Sequence, residues 1–180
     1  MDFRDALMDI KSDMIEREEV FDAVRRGYSE LEDASEGEIL DYFGATSATE
    51  LTGHVSNVKG ILFEHEVQEK LAEGGIQSNI FEQTNHPDTD LQIMENGSVI
   101  EEVQLKATES TSYINETLAE NPDITIIATS EVASNIGTEE VVNSGISESV
   151  LEETVMETLS PIPISPVGLL FFAVTGIWVA

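Results

Sequence analysis

A chain of 180 residues holds one domain with a core and some appendages, not two large domains. Eight Lys and Arg against 36 Asp and Glu give a formal charge of −28, which opposes casual contact with nucleic acid or anionic membranes unless salt screens the field. Disorder is excluded because 41% of residues are hydrophobic and recur with regular periods, and the lack of cysteine excludes disulfides, thiolate zinc sites and cysteine nucleophiles.

Acidic, lysine-poor and foldable is a composition suited to salt-rich cytoplasm, so a halophilic protein is expected; the competing class is an acidic interaction protein at ordinary salt. The opening MDFRDALMDIKSDM lacks the apolar core of a signal peptide, which points to a cytoplasmic domain.

From Phe3, the residues Leu7, Ile10, Met14, Phe21, Val24, Tyr28 and Leu31 form an amphipathic helical stripe, a hairpin arm or short coiled coil suited to helix-mediated self-association through residues 3–31. Five of the eight basic residues (Arg4, Lys11, Arg17, Arg25, Arg26) fall here, where solvated faces and intrahelical ion pairs account for them. Ser35 with Glu38 three places on is a capping box that opens a short helix ending at Gly44. A longer helix is expected from Thr49 to Glu73, stopped by Gly74-Gly75, with Leu51, Val55, Val58 and Leu62 on one face and Phe63, Val67 and Leu71 on another.

The period then changes to two. Strands are expected over Ile76–Gln83, Asp90–Met94 and Ser98–Ala107, the last two joined by the hairpin dipeptide Asn96-Gly97. A helix from Ser110 or Thr111 to Glu120 stops at Asn121-Pro122, and the apolar run Ile124–Ala128 reads as a strand covered on both faces. The fold class is therefore α/β: a mixed four-stranded sheet in α-β-β-β-α-β order, flanked by helices. Residues 134–145 read as a polar linker, Ile146–Leu159 as a helix, and Val167–Ala180 as an apolar tail. The expected division is 1–48 helical segment, 49–133 α/β core, 134–160 linker and helix, and 161–180 tail. At fourteen residues the tail's apolar run is short of the roughly 20 that a spanning helix needs. It is either a core element or the opening of a membrane segment, and in the second case an anchor.

Alternation along Ser98–Ala107 puts Glu102, Gln104 and Lys106 on one face and Val103, Leu105 and Ala107 on the other. Asp90 opens the antiparallel neighbour, so its carboxylate can join the polar face. Carboxylates with a lysine suit metal-dependent phosphodiester hydrolysis: oxygen ligands hold Mg²⁺ or Mn²⁺, and an ammonium stabilises developing negative charge. Lys106 is the last basic residue in the chain. Its competing role is an ordinary ladder contact with Glu102 or Asp90.

This order of elements, with Asp90, a spacer and Gln104-Leu105-Lys106, resembles the PD-(D/E)XK (restriction-endonuclease-like) nuclease superfamily over residues 57–130. Gly60 followed four residues later by Glu64, with Val67 and Leu71 continuing an apolar face, resembles the first helix of archaeal Holliday-junction resolvases. The resemblance implies a nuclease acting on nucleic acid, with Asp90 as metal ligand, Lys106 as catalytic lysine and Glu64 as the supporting helix carboxylate. Pro87-Asp88 supplies a literal PD, with Asp88 as a neighbour. Gln104 departs from the family's Asp or Glu: an amide oxygen ligates a hard cation but brings no charge, so Glu102 or Glu64 would have to compensate. Alternatively the site is degenerate, leaving a non-catalytic acidic interaction domain tethered to a membrane by residues 167–180.

Rival motifs are weaker. His65-Glu66-Val67-Gln68-Glu69 begins like a zincin helix but has Glu in place of the second His, and His54, His65 and His86 lack metal spacing. Tyr113, at the start of the helix after Lys106, either sits near the site or packs, with packing the expected role.

Overall fold

The computed structural model describes residues 2–9, 15–81 and 89–160. Among them are seven α-helices and a five-stranded mixed sheet. The helices are α1 (Phe3–Asp9), α2 (Arg17–Gly27), α3 (Glu36–Gly44), α4 (Ala48–Glu73), α5 (Thr111–Glu120), α6 (Ser130–Ile136) and α7 (Glu148–Leu159). The strands are β1 (Gln77–Ile80), β2 (Leu91–Glu95), β3 (Ser98–Lys106), β4 (Thr125–Ala128) and β5 (Val141–Asn143). The chain groups into two units: Met1–Met14 with Leu62–Leu151, and Ile15–Ile61 with Glu152–Ala180.

In the first unit the strands lie in the order β1-β2-β3-β4-β5. The first three form an antiparallel meander, and β3, β4 and β5 run parallel through the crossovers α5 and α6. Asn96 (φ 51°) and Gly97 (φ 79°) both take positive φ at the β2–β3 turn, as a tight primed hairpin requires. On one face of the sheet, Ile126 and Ala128 form a core with Ile114 of α5, Val132 and Ala133 of α6, and Val141. On the other, Leu91, Ile93, Val103, Leu105, Ile127 and Val142 are buried. Gln68 and Lys70 of α4 donate to the carbonyls of Ser78 on β1 (3.4 Å) and Ser144 just beyond β5 (2.7 Å), tying the helix to both edges.

The expected four strands are five. Strand β5 and the end of helix α6, residues 134–136, lie where the sequence suggested a linker over residues 134–145. Val141-Val142 is too short a run for alternation to register, and it is secured by partners remote in sequence. Ile126 N donates to Glu140 O (2.8 Å) and Ser144 N to Ala128 O (3.0 Å), extending the parallel pairing of β4 with β5. Glu131 then accepts from Ser147 Oγ (2.6 Å) and Glu148 N (2.9 Å), so a carboxylate sits on the N-terminal turn of α7, where the helix dipole favours it. These bonds hold the Glu131 carboxyl below its ordinary pKa, against the opposing effect of burial.

In the second unit, the amphipathic stripe expected through residue 31 is interrupted before α2: Glu16 is an extended N-cap in a capping box with Glu19. Val20, Phe21, Val24 and Leu31 are buried. The expected box at α3 is present, with Ser35 N and Oγ donating to Glu38 (2.9 and 2.6 Å). His54 Nδ1 lies 2.7 Å from Tyr28 Oη in a cluster of edge-on rings with Tyr42 and Phe43. Lys59 pairs with Glu152 at 3.1 Å. Residues 161–180 lie outside the described residues, and among those described no helix is long and apolar enough to cross a membrane.

Candidate functional site

The geometry around Asp90 depends on a bulge. Next to the turn, Glu95 pairs with Ser98 and Met94 with Val99, but Ile93 pairs with Glu101, leaving Ile100 without a partner and 57% exposed. An unbulged hairpin continuing that first register would set Leu91 opposite Glu102 and Asp90 opposite Val103, mixing apolar and polar faces. The extra residue shifts the register by one, so that Leu91 pairs with Val103 and Gln92 with Glu102. One step further, Asp90 stands at the end of the ladder, bonded to Val103 and Leu105 of β3.

Asp90 is stitched in there by its backbone and its side chain. Its N–H donates to Val103 O (2.9 Å), its carbonyl accepts from Phe81 N (3.1 Å), and carboxylate Oδ2 accepts from Leu105 N (2.7 Å). The side chain thereby satisfies a β3 amide at the point where the ladder with β2 ends. Gln104 Oε1 is buried and has no hydrogen-bond partner among the described residues. An amide oxygen enclosed without a donor loses hydration with nothing in return, which is the condition a hard cation or an ordered water would relieve.

Lys106 ends β3 in register with Ala128 of β4. Its Nζ donates to Tyr113 Oη (3.2 Å) and lies 5.1 Å from the centre of that ring. No carboxylate among the described residues pairs with it. Glu102 is exposed and accepts from Gln92 Nε2 at 2.8 Å, so this glutamate is engaged with its cross-strand neighbour and not with Lys106. Glu64 is half-buried on α4 and engages a partner of its own. His86 and Asp88 fall outside the described residues.

Asp90, Gln104 and Lys106 thus gather at the C-terminal end of β3, while Glu102 lies one pleat back along the strand. Sequence reasoning preferred a packing role for Tyr113 to one near the site, yet it is 47% exposed and meets Lys106. It also passed over Gln92, whose pairing with Glu102 depends on the bulge. A groove of about 830 Å³ opens instead at the hairpin end of the sheet, among Asp2, Arg4, Ile93, Glu95, Ile100 and Glu101. There Glu101 binds Arg4 (2.9 Å) and Thr125 (2.6 Å), a contact that fastens α1 to the sheet.

Searches against protein-family models, curated proteins and solved structures find no match to this chain.

Proposed function

We propose that the sheet-bearing unit is a PD-(D/E)XK-type domain for metal-dependent phosphodiester hydrolysis of nucleic acid, with Asp90, Gln104 and Lys106 at its centre and Glu64 and Glu102 as outlying carboxylates. The observation that carries the reading is the buried Oε1 of Gln104, without a hydrogen-bond partner among the described residues, on the same end of β3 as the Asp90 carboxylate and the Lys106 ammonium. The element order of the resemblance, a helix, a three-stranded meander, a crossover helix and a parallel strand, also accords with α4, β1, β2, β3, α5 and β4.

The donor set fits Mg²⁺ or Mn²⁺ in kind. Asp90 offers Oδ1, since Oδ2 is engaged by Leu105 N, and Gln104 offers Oε1; both are hard oxygens. A bound ion would activate water and polarise the phosphate. Within the chain, Leu105 N fixes the rotamer of Asp90, so its free oxygen is aimed without side-chain reorganisation. Lys106 supplies positive charge to a phosphate whose charge rises during cleavage. Because its hydrogen-bond acceptor is a neutral phenol, that charge is not cancelled within the protein. The net charge of −28 opposes approach of a polyanion, which requires high salt to screen the encounter.

Cleavage of DNA and RNA in high salt with Mg²⁺ or Mn²⁺, compared with Asp90→Ala and Lys106→Ala, tests this reading. Activity in the wild type that falls by roughly 100-fold or more in both variants is expected. Equal inertness of all three across substrates and metals would leave the non-catalytic interaction domain as the standing alternative.

A further inference from the structure

We infer that Tyr113 is a positioning residue for Lys106: its hydroxyl and ring together hold the ammonium at the end of β3 without neutralising it. This rests on the reading of Lys106 as the group that meets the phosphate.

Both partners stand on fixed elements. Lys106 is the last residue of β3, and its carbonyl accepts from Thr129 N at 3.3 Å. Thr129 is fully buried, and its Oγ1 donates to Thr108 O at 2.8 Å, so the link from β3 to α5 is pinned to the end of β4. Ser110, the N-cap of α5, accepts from Tyr113 N at 3.2 Å and fixes the tyrosine in the first turn. The next residue, Ile114, enters the core, whereas Tyr113 points its ring outward, 47% exposed. Packing does not account for that placement; the contacts to Nζ do, the phenol at 3.2 Å and the ring centre at 5.1 Å.

The choice of partner carries the argument. In a chain with 36 acidic residues, a carboxylate is the commonest group available to a lysine. An ion pair would order Lys106 but would present a phosphate with a charge sum near zero. A phenol is uncharged at neutral pH, accepts one N–H of the ammonium, and leaves two for a phosphoryl oxygen or water. Tyrosine is therefore the residue type that positions the cation and keeps its charge.

The test uses the full chain in high salt with Tyr113→Phe, Tyr113→Ala and Tyr113→Glu. The ammonium signal of Lys106 is followed by ¹⁵N-lysine NMR, identified among the four lysines by its loss in Lys106→Arg. Its proton exchange is expected to speed up by several-fold in Tyr113→Phe and further in Tyr113→Ala, where the ring contact is also lost. In the cleavage assay, kcat is expected to fall on the order of tenfold in Tyr113→Ala with KM nearly unchanged, and less in Tyr113→Phe. Tyr113→Glu should order the ammonium as well as wild type does and yet depress kcat most, because it cancels the charge. Unchanged exchange in both Tyr113→Phe and Tyr113→Ala overturns the positioning role, whatever the activity. Altered exchange in a chain with no cleavage activity upholds the contact and overturns the nuclease reading on which its use depends.

Discussion

Asp90 Oδ2 accepts a 2.7 Å hydrogen bond from the backbone N–H of Leu105, the residue that separates Gln104 from Lys106 on β3. A single carboxylate thereby has a structural and a chemical side. Oδ2 substitutes for the carbonyl of a strand neighbour, and Oδ1 is the oxygen that the proposed ion site would use. Removing Asp90 therefore affects both folding and any catalysis, and an alanine variant alone does not separate them.

Asp90→Asn does separate them. An amide oxygen can still accept from Leu105 N, whereas the charge is gone. Asp90→Ala is expected to lower stability by about 1 to 2 kcal/mol, because it orphans a β3 N–H, and Asp90→Asn by less than about 1 kcal/mol. Both should lose Mg²⁺ binding. Urea unfolding in high salt, alongside Mg²⁺ titration, checks the pair; equal destabilisation by the two would remove the capping role.

Gln104→Glu supplies the charge that the motif otherwise carries. Buried beside Asp90, an added carboxylate should cost about 1 to 3 kcal/mol in metal-free protein, through desolvation and like-charge repulsion. Mg²⁺ should reverse that loss, with affinity raised on the order of tenfold and cleavage raised with it. Thermal unfolding with and without Mg²⁺ reads both effects. If the variant is as stable as wild type and indifferent to Mg²⁺, the oxygen of Gln104 does not face an ion site.

Much of this was legible in the residues, and the failures share a cause. Ser35 with Glu38, Asn96-Gly97 and the α5 boundary were readable because each is a local signal whose partners lie within a few positions. Strand β5 was not, since its three residues are held by β4 and not by their own pattern. Asp90 was expected on the polar face, but hairpin counting from Asn96-Gly97 alone would have put it on the apolar one. The unpaired Ile100 shifts the register of β2 by one, so that Leu91 meets Val103 and not Glu102, which the local turn signal does not reveal. For Tyr113 packing was preferred to a place near the site because aromatic residues at helix starts usually pack, and its exposure depends on the path from β3 to α5.

Lys70 gives a pH signature unrelated to the site. Only 4% exposed, it donates to Ser144 O at 2.7 Å, and burial lowers its pKa from the ordinary 10.5 although Glu66 and Glu73 oppose the shift. Between the lowered folded value and 10.5, the unfolded chain binds more protons at this position than the folded chain, so the Lys70 contribution to stability rises with pH in that window. Below it, the cost of burying the charged amine is present in full. Wild type should therefore gain stability relative to Lys70→Met as pH is raised towards 10.5, read from urea midpoints of both proteins across that range. A constant difference between them would mean that the buried amine has the same pKa folded and unfolded.

The charge of −28 makes the strongest demand on solution conditions. Eight basic groups cannot offset 36 acidic ones, and Arg25 already serves two carboxylates, Asp22 at 2.6 Å and Glu18 at 3.2 Å. Folding brings the remaining carboxylates closer together, so repulsion weighs on the folded state more than on the extended chain. Screening relieves it: the Debye length falls from about 10 Å at 0.1 M salt to about 3 Å at 1 M. Stability should therefore climb steeply between these concentrations. NaCl and KCl should act alike at equal ionic strength, since screening depends on charge and not on ion identity. Exclusion of salt from the surface would instead favour sulfate over chloride and continue to rise above 1 M. Thermal unfolding in the three salts distinguishes the causes, and full stability in dilute buffer would show that the acidic surface is spaced widely enough to need no screening.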